Sequence, residues 1–342
     1  MNLLKNKKKL TLIISISILI LTFFISLIIG RFSLNIKEVI ISLTQLLSGE
    51  KITKSGSNNW SVFYYIRLPR IILVMAVGAA LSATGSVYQS IFHNPLVSPD
   101  LLGVSAGAGF GVALGMLAGD GSLYLIYGFS FFFGVIAVFM TFFISKLSKS
   151  QSVMTMVLGG IVVSSLFNAM LSILKYLADP LDKLSGIVFW LMGGFNRVGW
   201  QEVKFILPLI IIGIIIIYFM RWYLNVMSMG DEEARSMGVN VKLIRIVLIL
   251  FSTFMVASSV AATGQITWIG LVIPHMARFL VGSDHKIMIP QSIILGSVFL
   301  LIMDNIARTL TSAEIPISII TAFIGAPFFA YLLITRRNSG WD

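Results

Sequence analysis

Residues 246–277 read IVLILFSTFMVASSVAATGQITWIGLVIPHMA, thirty-two consecutive positions without an Asp, Glu, Lys or Arg. A single helix of that length would rise about 48 Å at 1.5 Å per residue, far more than the roughly 30 Å of hydrocarbon in a bilayer. The run therefore reads as two crossings, and a break near Gly264-Gln265-Ile266-Thr267 gives each half a suitable length. Working outward, the uncharged stretches 10–30, 71–92, 101–119, 121–145, 150–174, 205–220, 287–303 and 315–335 are each of spanning length. Together with the divided run they predict ten spans. The apolar segment 184–195 is too short to cross and reads as a re-entrant or interfacial helix.

Composition agrees with this reading. The 342 residues are 57% hydrophobic and 11% charged, with a mean hydropathy of +0.95, whereas soluble domains are about 25% charged. One all-α domain over residues 1–342 is expected, a polytopic bundle in a cell membrane. The formal charge of +11 is spread singly between apolar runs and at the two ends, a pattern suited to anionic headgroups and not to nucleic acid. Lys5, Lys7, Lys8 and Lys9 before the first span and Arg336 and Arg337 after the last place both termini in the cytoplasm, with Lys146, Lys149 and the segment from Arg221 to Arg245. The bias over the whole chain is weak, because Arg67, Arg70 and Arg308 fall on the outer side. The first run follows a basic stretch, as a signal peptide does, but it is long and lacks a clear small-residue cleavage site.

Several chemistries are excluded or disfavoured. There is no cysteine, and His93, His275 and His285 are too scattered in sequence to suggest a metal cluster, so no metal ligand set and no cofactor is expected. The glycine-rich stretch from Gly103 to Gly111 lacks the strand, the Gly-Lys-Ser/Thr ending and the helix of a phosphate loop; it reads as close helix packing. Any ATP must then be hydrolysed by a partner. The span cores are uncharged, which disfavours coupling to an ion gradient, although backbone carbonyls can bind sodium without a charge. An ion-coupled carrier stays open as the alternative. An intramembrane enzyme is opposed by the absence of an Asp pair, a His-Glu-x-x-His or a nucleophile–base arrangement. An echo of Ala83-Thr84-Gly85 with Pro95 in Ala262-Thr263-Gly264 with Pro274 raises the question of an internal repeat.

Four motifs carry a resemblance over nearly the whole chain. They are Arg67-Leu-Pro-Arg70 with the following Gly78 to Gly85, Asn94-Pro-Leu-Val-Ser-Pro-Asp-Leu-Leu-Gly103, Gly270-Leu-Val-Ile-Pro-His-Met-Ala-Arg278, and Glu314-Ile-Pro-Ile317 with Gly325-Ala-Pro327. The chain resembles the permease family of bacterial siderophore, haem and vitamin B12 ABC importers. That resemblance implies ten spans, a second permease subunit, identical or homologous, two cytoplasmic ATPases, an extracytoplasmic solute-binding protein and a ferric siderophore or similar chelate as cargo. It implies docking of the binding protein's glutamates at Arg67, Arg70 and Arg308, against the competing reading that these arginines pair internally with Asp304 or Glu314. It implies a cytoplasmic gate at Asn94 and Leu96. It also implies an ATPase-coupling segment within 226–242, formed by Gly230, Asp231, Glu232, Glu233, Ala234, Arg235 and Gly238, as two short helices turning at Gly238 with Ala234 and Gly238 allowing close approach. The path is expected along 150–174, with Ser164, Ser165, Asn168 and Met170 as candidate lining, and along 184–195 and the last span; helix packing is the competing role for each residue. His275 is expected to be structural.

Overall fold

The computed structural model describes residues 2–32, 34–48, 57–119, 122–148, 153–311 and 313–335. Gly121, Lys149, Ser150, Arg336 and Arg337, used above to bound spans and set orientation, lie outside the described residues. The regular structure described is helical: α1 Asn2–Ile28, α2 Ile36–Ser48, α3 Ser57–Ser61, α4 Leu68–Ile91, α5 Val104–Ala118, α6 Leu123–Leu147, α7 Val153–Leu177, α8 Lys183–Leu191, α9 Trp200–Met227, α10 Asp231–Ser236, α11 Val241–Thr263, α12 Ile269–Val281, α13 His285–Thr309 and α14 Ile317–Thr335. A π-helical turn, Val62–Arg67, joins α3 to α4, and a 3-10 turn, Pro99–Leu102, precedes α5.

The divided run breaks where expected. Gly264 ends α11 at φ +73°, and Trp268 at φ +74° turns the chain into α12. Seven described helices are long and apolar enough to cross a membrane, while α5 and α12 are shorter. α5 and α12 occupy expected spans whose remaining length is not α-helical, at Pro99–Leu102 before α5 and at 264–268 before α12. Such backbone is tolerated at membrane depth only where protein surrounds it, and Leu102 and Ile266 are buried. The amphipathic α2 lies outside every expected span. Glu38 holds its start, accepting from the Asn35 backbone N–H at 2.8 Å and from Asn59 Nδ2 at 2.8 Å.

α4 is the axis of the bundle: 89% of its most apolar stretch is buried, against 28% for α6, α7 and α9. Lipid tails are as apolar as the helices, so close backbone approach and interhelical hydrogen bonds take the place of a hydrophobic driving force. A Cβ added at Gly78 would strike the Gly296 carbonyl, and one at Gly85 the Gly270 carbonyl. Ser82 Oγ donates to Ser292 O at 2.9 Å beside them. The glycine-rich α5 follows the same rule, Gly107 and Gly111 lying on the backbone of α6 at Phe133 and Phe129. The two copies of the sequence echo sit in different local settings: Gly85 lies inside α4, whereas Gly264 terminates α11.

Candidate functional site

Because α4, α9, α11 and α13 run between them, two ends of the bundle carry the singled-out residues. At one end Pro69 stands in the first turn of α4, which begins at Leu68, and Arg70 follows it, facing α13. Arg70 donates through Nη2 to Asp304 Oδ1 at 2.8 Å, through Nε to both Asp304 oxygens at 3.0 and 3.2 Å, and through Nη1 to Glu314 Oε1 at 2.9 Å. Asp304 is 0% exposed and Arg308 approaches its second oxygen at 3.7 Å. Arg308 also donates to the Ser26 carbonyl at 2.7 Å and to Asn305. Arg67, at the close of the π-turn, donates to the carbonyls of Leu27, Ile28 and Phe32 and so clamps the end of α1.

All three arginines are therefore buried and internally engaged. The pairing with Asp304 and Glu314 raised by the sequence as the competing reading is the one seen at Arg70, and docking at these guanidiniums requires internal partners to be exchanged. Glu314, 22% exposed, is the member of the cluster at the surface.

Beside Arg70 opens a cavity of about 290 Å³ lined by α8, residues 193–197 and the start of α14. Gly193 takes φ +72° and lies on the Gln265 carbonyl. Gly194 N–H donates to Thr263 O at 2.7 Å and Ile317 N–H to Gly193 O at 3.0 Å, knitting the loop to the end of α11 and the start of α14. Asn196 and Arg197 stand exposed on its rim. Sequence reasoning missed these two; the Gly193-Gly194 break after the short segment was the available signal.

The opposite end carries Asn94 and Leu96. Asn94 Oδ1 accepts from the Leu96 N–H at 2.9 Å, closing a short turn, and Leu96 is 46% exposed. His275 on α12 bonds the Pro95 carbonyl at 3.1 Å, which makes it a brace for this loop. A polar cavity of about 490 Å³ adjoins it and brings together His93, Arg278, Asp284 and His285, residues no sequence spacing connected. His285 is buried between Asn225 Oδ1, 2.8 Å from Nδ1, and Ser90 Oγ at Nε2. Among the described residues no group of three or more His, Cys, Asp or Glu is placed to hold a metal ion.

At the same end Gly230, at φ +126°, starts the single short helix α10, and Gly238, at φ +79°, turns the chain toward α11. The expected second short helix is instead the first turn of α11, capped by Asn240 accepting from Leu243 N–H at 3.1 Å. Ala234 is 0% exposed and packs into the bundle, so close approach by an outside groove falls to the exposed residues around it. Glu232, Glu233, Arg235, Met237 and Gly238 form that surface. Asp231 is tied to Arg245 at 2.8 Å. On α7, Ser165 and Asn168 are exposed, Ser164 half-buried beside Gly103, and Met170 packed against the aromatic cluster of α5 and α6.

A bundle of apolar helices of membrane-spanning length, with a cavity at each end and a charged turn at one of them, is the architecture of a multi-pass membrane protein. The chain belongs to the FecCD transport family, whose sequence profile matches residues 18–335. It is 38% identical over 325 residues to the molybdate import system permease protein MolB of Haemophilus influenzae, covering 95% of both chains. It is 35% identical to the vitamin B12 import system permease protein BtuC of Klebsiella pneumoniae, covering 90% of this chain and 94% of that one. A solved metal-chelate type ABC transporter in an inward-facing conformation superposes with a TM-score of 0.84 at 37% identity, covering 95% of this chain and 98% of that chain. The chain is thus a transmembrane permease subunit of an ABC importer, and ATP hydrolysis resides in a separate subunit.

Proposed function

We propose that this permease passes an intact iron–siderophore or related metal chelate inward, with both termini and α10 on the cytoplasmic side. The observation that carries the ATP-driven part is α10: Ala234 and the Asp231–Arg245 pair root it in the bundle, while its outer face is free to receive a force. Two cytoplasmic ATPases would bear on the Glu232, Glu233, Arg235 and Gly238 surface. A second permease, identical or homologous, would cover part of the exposed face of α7 and α14, leaving Ser165 and Asn168 toward the path. Exchange of the Arg70–Glu314 bond for a carboxylate of a solute-binding protein is the docking step this geometry supports best, since Glu314 is the exposed member; Arg67 and Arg308 hold the platform. Asn94 and Leu96 would close the cytoplasmic mouth.

A second cargo reading, a small oxyanion, is favoured by the 38% identity to a molybdate permease. Uptake of radioactive ferric siderophore and of radioactive molybdate by the assembled importer separates the two. ATP-driven chelate uptake that survives collapse of the membrane gradient is expected. Uptake that stops with the gradient while ATP remains overturns the ATP-driven reading.

A further inference from the structure

Next to α10, where α6 ends and α11 begins, lies a cavity of about 580 Å³; it shares Arg235 with the proposed ATPase surface and the Asp231–Arg245 pair with the root of α10, but its aromatic wall, Lys146 and Lys242 have no role above. One wall is aromatic and faces outward from the bundle: Phe139 and Phe143 are each 63% exposed, and Ile246 adds 45%. The other wall is cationic, with Lys146, Arg235, Lys242 and Arg245 against a single carboxylate, Asp231. That carboxylate is already bound to Arg245 through Nη2. Among the described residues Lys146, Arg235 and Lys242 have no ion pair, and Arg245 Nε is a buried donor with no acceptor. An apolar wall on membrane-facing helices, capped by surplus positive charge where those helices end, has the amphipathic chemistry of one ligand class: acyl chains below, a phosphate above.

We infer that this cavity is a specific site for an anionic phospholipid, whose chains lie along Phe139 and Phe143 and whose phosphate sits among Lys146, Lys242 and Arg245. Charge complementarity selects the occupant: a zwitterionic lipid brings no net charge to the three or more unneutralised cations. Because Arg245 also holds Asp231, a bound phosphate would share that guanidinium and stiffen the root of α10. The inference rests on the membrane placement of the bundle and not on the identity of the cargo or the ATPase.

The test uses the full-length permease in nanodiscs of phosphatidylcholine containing a minor fraction of phosphatidylglycerol, extracted gently and examined by native mass spectrometry for retained lipid. Wild type should retain phosphatidylglycerol selectively. Lys146→Gln with Lys242→Gln should reduce that retention roughly twenty-fivefold, about fivefold for each charge removed near an anionic headgroup. Lys146→Arg with Lys242→Arg should restore it, which separates loss of the site from loss of the fold. Millimolar inorganic phosphate should not displace the lipid; displacement would mean a free-anion site and overturn the proposal. Equal retention of the two lipids by wild type, or unchanged retention in the glutamine variant, would also overturn it. So would release of the lipid on adding the ATPase partner, since the face would then be a protein interface.

Discussion

Replacing Asp304 with Asn removes the charge that three hydrogen bonds from Arg70 and the nearby Arg308 enclose, at a position with no solvent exposure. The asparagine oxygen can still accept one bond, but two guanidiniums then share Glu314 as the remaining carboxylate of the cluster, which accepts from Arg70 Nη1 at 2.9 Å. Breaking a buried pair from one side typically costs 3–5 kcal/mol, because the partner's charge is left uncompensated. With Glu314 still in place the cost here is about 3 kcal/mol, the lower end of that range. Taking roughly 2 °C per kcal/mol for a long chain, the melting midpoint of the purified permease should fall by about 6 °C. Glu314→Gln, at the surface, should cost about 1 kcal/mol or less. Arg70→Gln combined with Asp304→Asn should lose less than the two single changes summed, since the double variant leaves neither partner charged. A midpoint within about 1 °C of wild type for Asp304→Asn, or strict additivity in the double variant, would refute the buried-cluster reasoning.

Gly85→Leu should prevent α4 from seating against α12, because backbone and not a movable side chain occupies the space; folded yield should fall, whereas Gly128→Ala, with nothing within 4 Å, should match wild type. Gly238→Val, strained at φ +79° on the exposed turn, should insert normally yet reduce substrate-stimulated ATP hydrolysis by the assembled importer, while Ala234→Trp should destabilise the permease itself by overpacking, about 1–3 kcal/mol. Cysteines placed at Ser165 and Asn168 should react with a water-soluble thiol reagent in some nucleotide state, and one at buried Val163 should not; unreactive Ser165 and Asn168 positions would remove α7 from the path. Burial opposes ionisation of Asp284, but the Asn225 amide, the Lys286 N–H and the charges of Lys8 and Lys286 hold its pKa below the ordinary carboxylate range. Its contribution is therefore complete above the unfolded pKa and lost as pH falls through the folded one, so the cost of Asp284→Ala, about 1 kcal/mol for a lost helix cap, should shrink below about pH 4 in thermal melts.

Segment identity was legible from composition because each apolar run answers to its own solvent: the break at 264–268, the short helix α8 and the close-packing role of Gly107 and Gly111 all follow from local residue types. The family motifs were legible as well, since they are contiguous stretches of sequence. The direction in which the arginines face was not, because Arg70 finds Asp304 only when α4 and α13 pack, 234 residues apart in the chain. Ala234 reads as an exposed small residue in a charged stretch, yet packing against the bundle turns it inward and leaves Glu232, Glu233 and Arg235 outside. The cationic cavity beside α10 likewise assembles Lys146 and Lys242 from different helices. Hydropathy is a sum over neighbours in sequence and so survives in the sequence alone; the fate of a charge depends on which distant backbone or carboxylate reaches it, and that only tertiary packing decides.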